Sequence, residues 1–353
     1  MGLSQIQKAL IAKVRAVGNS GLAVPLSDDI CVYLLGIVVQ DLGLQASFPD
    51  FAEGLPPFFG TAPLTSLRVE GLNFIALFEE LVHLCQDADS YFLCLATLHK
   101  ARLKYERILQ AQPIPTIDQV GPRSLLQFGS LKPHALASLL FWRKWIFDID
   151  NRAGQESGYV FEPIIASAIG GISTGGKRSP IKRQGTGAGR QVDCVREIDK
   201  RAYEIKLRVT MAASGQGRWQ EELDFPADCR ASGYTPVLIV LDPTANPKLH
   251  ELQRAFDTEG GDSYVGLNAW EHLESMAGDT MATFISRYVQ QPIQALLNAA
   301  PMELPDICFR FRNNELLIDV AGEQLRLLRD PIAELASAED AVPDDVNGDA
   351  GNI

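Results

Sequence analysis

Asp193, Glu204 and Lys206 are the residues whose types and spacing could do chemistry together. They lie within Arg190-Gln-Val-Asp-Cys-Val-Arg-Glu-Ile-Asp-Lys-Arg-Ala-Tyr-Glu-Ile-Lys-Leu-Arg-Val-Thr210. Two runs rich in Val, Ile, Tyr and Thr flank the polar group Glu197 to Lys200, which predicts a β-hairpin. With 197–200 as a four-residue loop, Arg196 pairs with Arg201, and the same register sets Asp193 opposite Glu204. Residues so opposed have Cβ atoms about 4.5–5.5 Å apart. Side chains alternate along a strand, so Lys206 emerges on the side of Glu204. Two carboxylates facing each other across a plain sheet repel and destabilise it. A divalent cation between them removes that repulsion, so the chemistry on offer is that of a carboxylate-held cation with an ammonium beside it.

Asp193, a ten-residue gap and Glu204-Ile205-Lys206 resemble the active site of the PD-(D/E)XK nuclease superfamily, with Val192 where its signature has proline. The wider block is similar to the ApaLI-like type II restriction endonucleases. It runs from Glu204-Ile-Lys through Ala212-Ala-Ser-Gly-Gln-Gly-Arg-Trp-Gln-Glu-Glu222 to Thr235-Pro-Val-Leu-Ile-Val-Leu-Asp-Pro-Thr244. The resemblance covers about residues 155–290. It implies a restriction-endonuclease-like α/β (α+β) core, a central mixed sheet flanked by helices. It also implies Mg²⁺ bound by Asp193, Glu204 and the Ile205 carbonyl, with Lys206 beside the attacked phosphate. Glu162 is the best match to the glutamate that often completes such a site from the preceding helix.

The elements that must position these residues follow from periodicity and breakers. Apolar residues at three and four from Leu3 to Val17 predict a helix, and Ser27 caps a second one ending near Gly43. Residues 49–63 read as a loop, 72–110 as helix with a break near Asp87–Ser90, and 124–148 as further helix. Residues 1–150 thus form an α-helical region for dimerisation or DNA contact, 151–335 the catalytic domain, and 336–353 an acidic, disordered tail. Pro163 suits the first turn of a helix over 161–169, which places Glu162 at a positively polarised helix start. Capping alone explains a glutamate there as well as metal binding does. Pro226 is expected to open a short helix ending at Gly233, and Pro236–Leu241 to form a strand buried on both faces. Residues 269–288 read as helix, and 307–312 with 315–319 as a second hairpin.

The net charge of −12 argues at first against nucleic acid, but its distribution does not. Residues 334–353 hold six acids and no base, so half of that charge sits in the tail. Between Lys177 and Arg218 eleven bases face four acids, a local footprint of the kind phosphate contacts require. Within and around it, Lys182, Arg183 and Arg190 are candidate phosphate contacts, and Gln216, Arg218 and Gln220 candidate base readers. A merely solvated charged surface is the plainer alternative for all six. The glycine-rich stretch 170–189 reads as flexible backbone lying along DNA. Its Gly171-Ile-Ser-Thr-Gly-Gly-Lys177 has phosphate-loop spacing but continues with Arg178 instead of Ser or Thr and follows a helix, so no nucleotide cofactor is expected. The five histidines show no ligand spacing. Six scattered cysteines without a C-x-x-C pair suit a reduced, cytoplasmic protein, and no apolar run is long enough to span a membrane.

These readings converge on a homodimer that cleaves double-stranded DNA at a short palindrome by Mg²⁺-dependent hydrolysis, as restriction–modification defence requires. Two strands call for two sites, hence two-fold symmetry. The rivals are a nonspecific or structure-selective nuclease of the same superfamily, a non-catalytic DNA-binding or scaffold protein whose carboxylates pair with arginines, and a nucleotide-binding regulator.

Overall fold

In a computed structural model, residues 2–16, 24–207, 216–245, 247–299, 303–312 and 314–330 are described. The chain opens with α1 (Gln5–Arg15) and α2 (Asp28–Asp41). Ser4 and Gln7 close a capping box on the first, and the Ser27 hydroxyl accepts from the Ile30 amide on the second. The long helical stretch divides into α3 (Phe74–Leu84) and α4 (Ala88–Ala111), where Asp87 adopts a left-handed conformation with φ of 60°. After a single turn, α5 (Ile117–Val120), comes α6 (Pro133–Ala168).

Helix α6 departs from expectation. Residues 124–148 and 161–169 read as separate helices, the second with Pro163 in its first turn, yet one helix of 36 residues, Pro133–Ala168, runs through Pro163 and across position 150. Pro163 lies inside it, close to its end, and forgoes one hydrogen bond. The expected helix start at Glu162 is therefore absent, and the helix-dipole account of that residue falls with it. Burial holds the helix together: Ile164, Ile165, Ala166, Ala168 and Ile169 are nearly inaccessible. Each large apolar side chain so buried contributes about 1.5–3 kcal/mol, against a proline cost of about 3.

A five-stranded sheet follows, in the order β1 (Ile172–Thr174), β2 (Val192–Arg196), β3 (Arg201–Lys206), β4 (Thr235–Val240), β5 (Asp262–Val265). The first three pair antiparallel and the last three parallel, so the sheet is mixed, as expected. Between strands run α7 (Gln216–Ala231) and α8 (Pro247–Thr258), with α9 (Leu267–Ile285), one π-helical turn (Ser286–Gln290) and α10 (Gln291–Ala299) after them. Helix α7 begins ten residues before Pro226, which sits inside it and not at its start.

Alternation along the strands feeds two cores, one on each face. On one, Cys194, Tyr203, Ile205, Val237 and Ile239 join α6, α9 and the N-terminal helices. On the other, Val195, Ala202, Leu238 and Val240 meet Phe225 and Cys229 of α7 and Leu249, Leu252 and Phe256 of α8. Both faces are covered, which explains the unbroken apolar run of β4. The N-terminal helices and the sheet thus share one core. A second, three-stranded antiparallel sheet, β6 (Ile307–Arg312), β7 (Glu315–Val320) and β8 (Glu323–Leu328), lays Phe309 and Phe311 on Trp142 and Trp145 of α6. Among the described residues no helix is long and apolar enough to cross a membrane. The expected disordered tail lies outside the described residues.

Candidate active site

The hairpin of β2 and β3 turns through 197–200 with Lys200 at φ 52° and pairs Arg196 with Arg201, Val195 with Ala202 and Cys194 with Tyr203. One further step of that register sets Asp193 opposite Glu204. An Asp193 carboxylate oxygen accepts the backbone N–H of Ile205 at 2.8 Å. Lys206 Nζ lies 3.1 Å from Glu204 Oε1 and 3.2 Å from Glu222 Oε2, the latter reaching in from α7. These three side chains are 16%, 20% and 26% exposed, shielded but not sealed from solvent. From α6, Glu162 hydrogen-bonds to Asp193. Four carboxylates thus surround one ammonium.

The electrostatics register that surplus. Burial, then the charges of Glu204 and Glu162, push the Asp193 carboxyl well above its ordinary range; the Ile205 amide and Lys206 only partly offset them. Burial and Glu204 raise Glu162 to about 7, against the opposing pull of Lys206 and the hydrogen bond to Asp193. A proton shared between Glu162 and Asp193 is how such a pair relieves itself when no cation is near. Burial alone would lower Lys206, but Glu204, Glu222 and Asp193 outweigh it and hold the ammonium firmly protonated.

The donor set fits a hard cation, since every available ligand is an oxygen and negative charge is in excess. The side chains have not closed into a cage: among the described residues no three His, Cys, Asp or Glu stand arranged to hold an ion. Lys206 rests on Glu204 and the Ile205 amide on Asp193, so a bound cation competes with both. Ile205 joins the site here through its N–H. An apolar cavity of about 500 Å³ lined by Leu98, Arg102, Phe161, Ile164 and Leu207 adjoins Glu162 in sequence, and among the described residues no carboxylate lines it.

The residues expected to face DNA are divided by the structure. Lys182 is exposed, its ammonium on the Ser179 carbonyl at 2.9 Å. Arg183 pairs with Glu221 at 2.7 Å in a half-open surface bridge. Gln220 is exposed and donates to Asp224 at 2.8 Å. Gln216 and Arg218 stand in the first turn of α7, and their side chains lie outside the described residues. Arg190 is different: it is buried, pairs with Asp228 at 2.6 Å, donates to the Glu221 carbonyl and lies over the Phe225 ring. Its guanidinium serves the fold, because leaving Asp228 would strand a buried carboxylate. The glycines beside it are also structural. A Cβ on Gly189 would strike the Gly176 carbonyl, and one on Gly171 the Cys194 sulfur. Backbone bonds from Lys182 to Ser232 and from Gln184 to Asp228, both 2.9 Å, pin the segment on the end of α7. Residues 172–174 of the phosphate-loop look-alike form strand β1.

Glu222 is the site residue that sequence reasoning missed. It lies outside the Asp193 and Glu204-Ile205-Lys206 motif, and its one signal was a Glu-Glu pair at the end of the polar stretch 212–222.

Residues 72–290 match the profile of the ApaLI-like restriction endonuclease family. The chain is 45% identical over 287 residues to the type II restriction enzyme ApaLI of Acetobacter pasteurianus, covering 77% of this chain and 76% of that protein. No solved structure matches.

Proposed function

Since the chain belongs to the ApaLI-like restriction endonuclease family, we propose that it is a type II site-specific deoxyribonuclease, cutting double-stranded DNA at a short palindrome in a restriction–modification system. The observation that carries the reading is the meeting of Asp193, Glu204, Lys206 and Glu162 at one end of the β2–β3 hairpin.

Glu162, Asp193 and Glu204, with the Ile205 carbonyl, would hold Mg²⁺. When bound, the cation supplies Lewis-acid charge at the scissile phosphate and acidifies water. Lys206 points its ammonium into the same space, where it directs the attacking water and offsets charge on the phosphate oxygens. The Ile205 N–H orients Asp193. Lys182 and Arg183 contact phosphates, the latter by exchanging its surface bridge, which is worth about 1 kcal/mol or less. Gln220, with Gln216 and Arg218, reads bases from the start of α7. Two copies of the 38.7 kDa chain, each with one site, cut the two strands in the cytoplasm.

Unmethylated phage DNA incubated with the protein in Mg²⁺ and in EDTA tests this. Discrete fragments with Mg²⁺ only are expected. A smear would leave a nonspecific nuclease, and intact DNA that still shifts on a native gel would leave a binding protein.

A further inference from the structure

Glu222 stands outside the Asp193 and Glu204-Ile205-Lys206 motif yet lies about as close to Lys206 as Glu204 does, 3.2 Å against 3.1 Å. It arrives from α7, a separate element, and that helix is held firmly. Trp219 donates to Glu251 at 3.1 Å beneath the ammonium of Lys248, while Arg190 grips the Glu221 carbonyl and covers Phe225. The carboxylate one turn after Trp219 is therefore presented in a fixed place.

An ammonium has three donors and no acceptor, and bonds whichever carboxylates surround it. With Glu204 as its sole partner, Lys206 would sit on an oxygen that a cation needs, and the two positive charges would compete for it. A second carboxylate on the far side changes the contest. When Glu204 turns to a cation, Lys206 keeps a charged hydrogen bond and stays in the site.

We infer that Glu222 is a positioning residue for Lys206, holding its ammonium between α7 and β3 so that Glu204 is released to the metal. The inference rests on the reading of Asp193, Glu204 and Lys206 given above. Two other roles differ from it in consequence: a surface ion pair of no account, and a direct ligand.

Binding of Mn²⁺ alone to the full-length protein, followed by electron paramagnetic resonance without DNA, separates them. Glu222→Gln, and more so Glu222→Ala, is expected to weaken binding about tenfold, the order of losing the one charge-assisted hydrogen bond that draws Lys206 away from Glu204. Lys206→Met removes the competitor and tightens binding. On that background Glu222→Gln costs less than about threefold more, because the residue acts through the lysine. An equal loss on both backgrounds would overturn the inference in favour of direct ligation. No loss in the wild-type background would overturn it in favour of a spectator. If Asp193→Asn and Glu204→Gln both bound Mn²⁺ like wild type, the site itself would be misplaced, which is a separate failure. Gln and Met nearly match the replaced side chains in volume, and thermal melting confirms that each variant is folded.

Discussion

Replacing Glu162 by Gln removes one negative charge from a place that holds too many, and the effect has a sign that depends on pH and metal. In the folded protein the Glu162 pKa rises from 4.5 to about 7, by burial first and Glu204 second. A raised carboxyl binds its proton more tightly folded than unfolded. It therefore makes stability fall as pH rises from about 4.5 to about 7, with the loss complete above that window. At about 1.4 kcal/mol per unit the shift corresponds to about 3 kcal/mol. Solvent reaching the carboxyl reduces the expected effect to about 1–2 kcal/mol. In EDTA, the wild-type melting temperature should drop by a few degrees between pH 5 and pH 8. Glu162→Gln should flatten that slope and melt higher than wild type at pH 8. Mg²⁺ should reverse the order. It stabilises wild type by about 2.7 kcal/mol at a hundred times its dissociation constant, and the variant by much less. Calorimetric melts of both proteins at the two pH values, with and without Mg²⁺, give all the numbers. A variant that kept the wild-type pH slope, or responded equally to Mg²⁺, would refute the reasoning.

Two further substitutions examine the supporting structure. Arg190→Met strands Asp228, whose side chain is only 6% exposed, and should cost about 3–5 kcal/mol in denaturant melts. Arg183→Ala should leave stability within about 1 kcal/mol, yet weaken DNA binding and lower its salt slope by about one in a gel-shift series. Should Arg190→Met fold normally and lose only DNA affinity, that guanidinium would belong to the interface after all. Gly171→Ala puts a methyl against Cys194 Sγ, the Val195 carbonyl and Arg196 and should destabilise by about 1–3 kcal/mol. Gly185→Ala meets nothing within 4 Å and should be silent; equal melting temperatures for the two would dismiss the close-packing account.

The hairpin was legible because two local rules agree on it. The polar four-residue turn fixes the register, and the register alone makes neighbours of Asp193 and Glu204 across ten residues. Strand β4 was legible for a similar reason, since an unbroken apolar run needs both faces covered. Helices α6 and α7 were not, because Pro163 and Pro226 look like helix starts. Each instead lies inside a helix whose buried face outweighs a lost hydrogen bond, a balance struck by tertiary packing. The burial of Arg190 was not legible for a related reason: a charge count treats every cation in a basic window as surface, whereas Asp228, thirty-eight residues later, draws this one inside. Glu222 had only a faint local signature, the Glu-Glu pair that ends a polar segment. Its place depends on how α7 returns across the sheet, and only the fold contains that distance. Strand β8 and the pair α8 and β5 also escaped reading, the last because Asp262–Val265 is a strand of four residues.

The central claim is that one hairpin end carries the chemistry. It is tested most directly by single-turnover cleavage of a mapped DNA site by Asp193→Asn, Glu204→Gln and Lys206→Met, with binding to the same duplex measured in Ca²⁺. Each variant should remain folded and bind the duplex, and each should cut at least about a hundred- to a thousandfold more slowly than wild type. Cleavage at the wild-type rate by any one of the three would contradict the account.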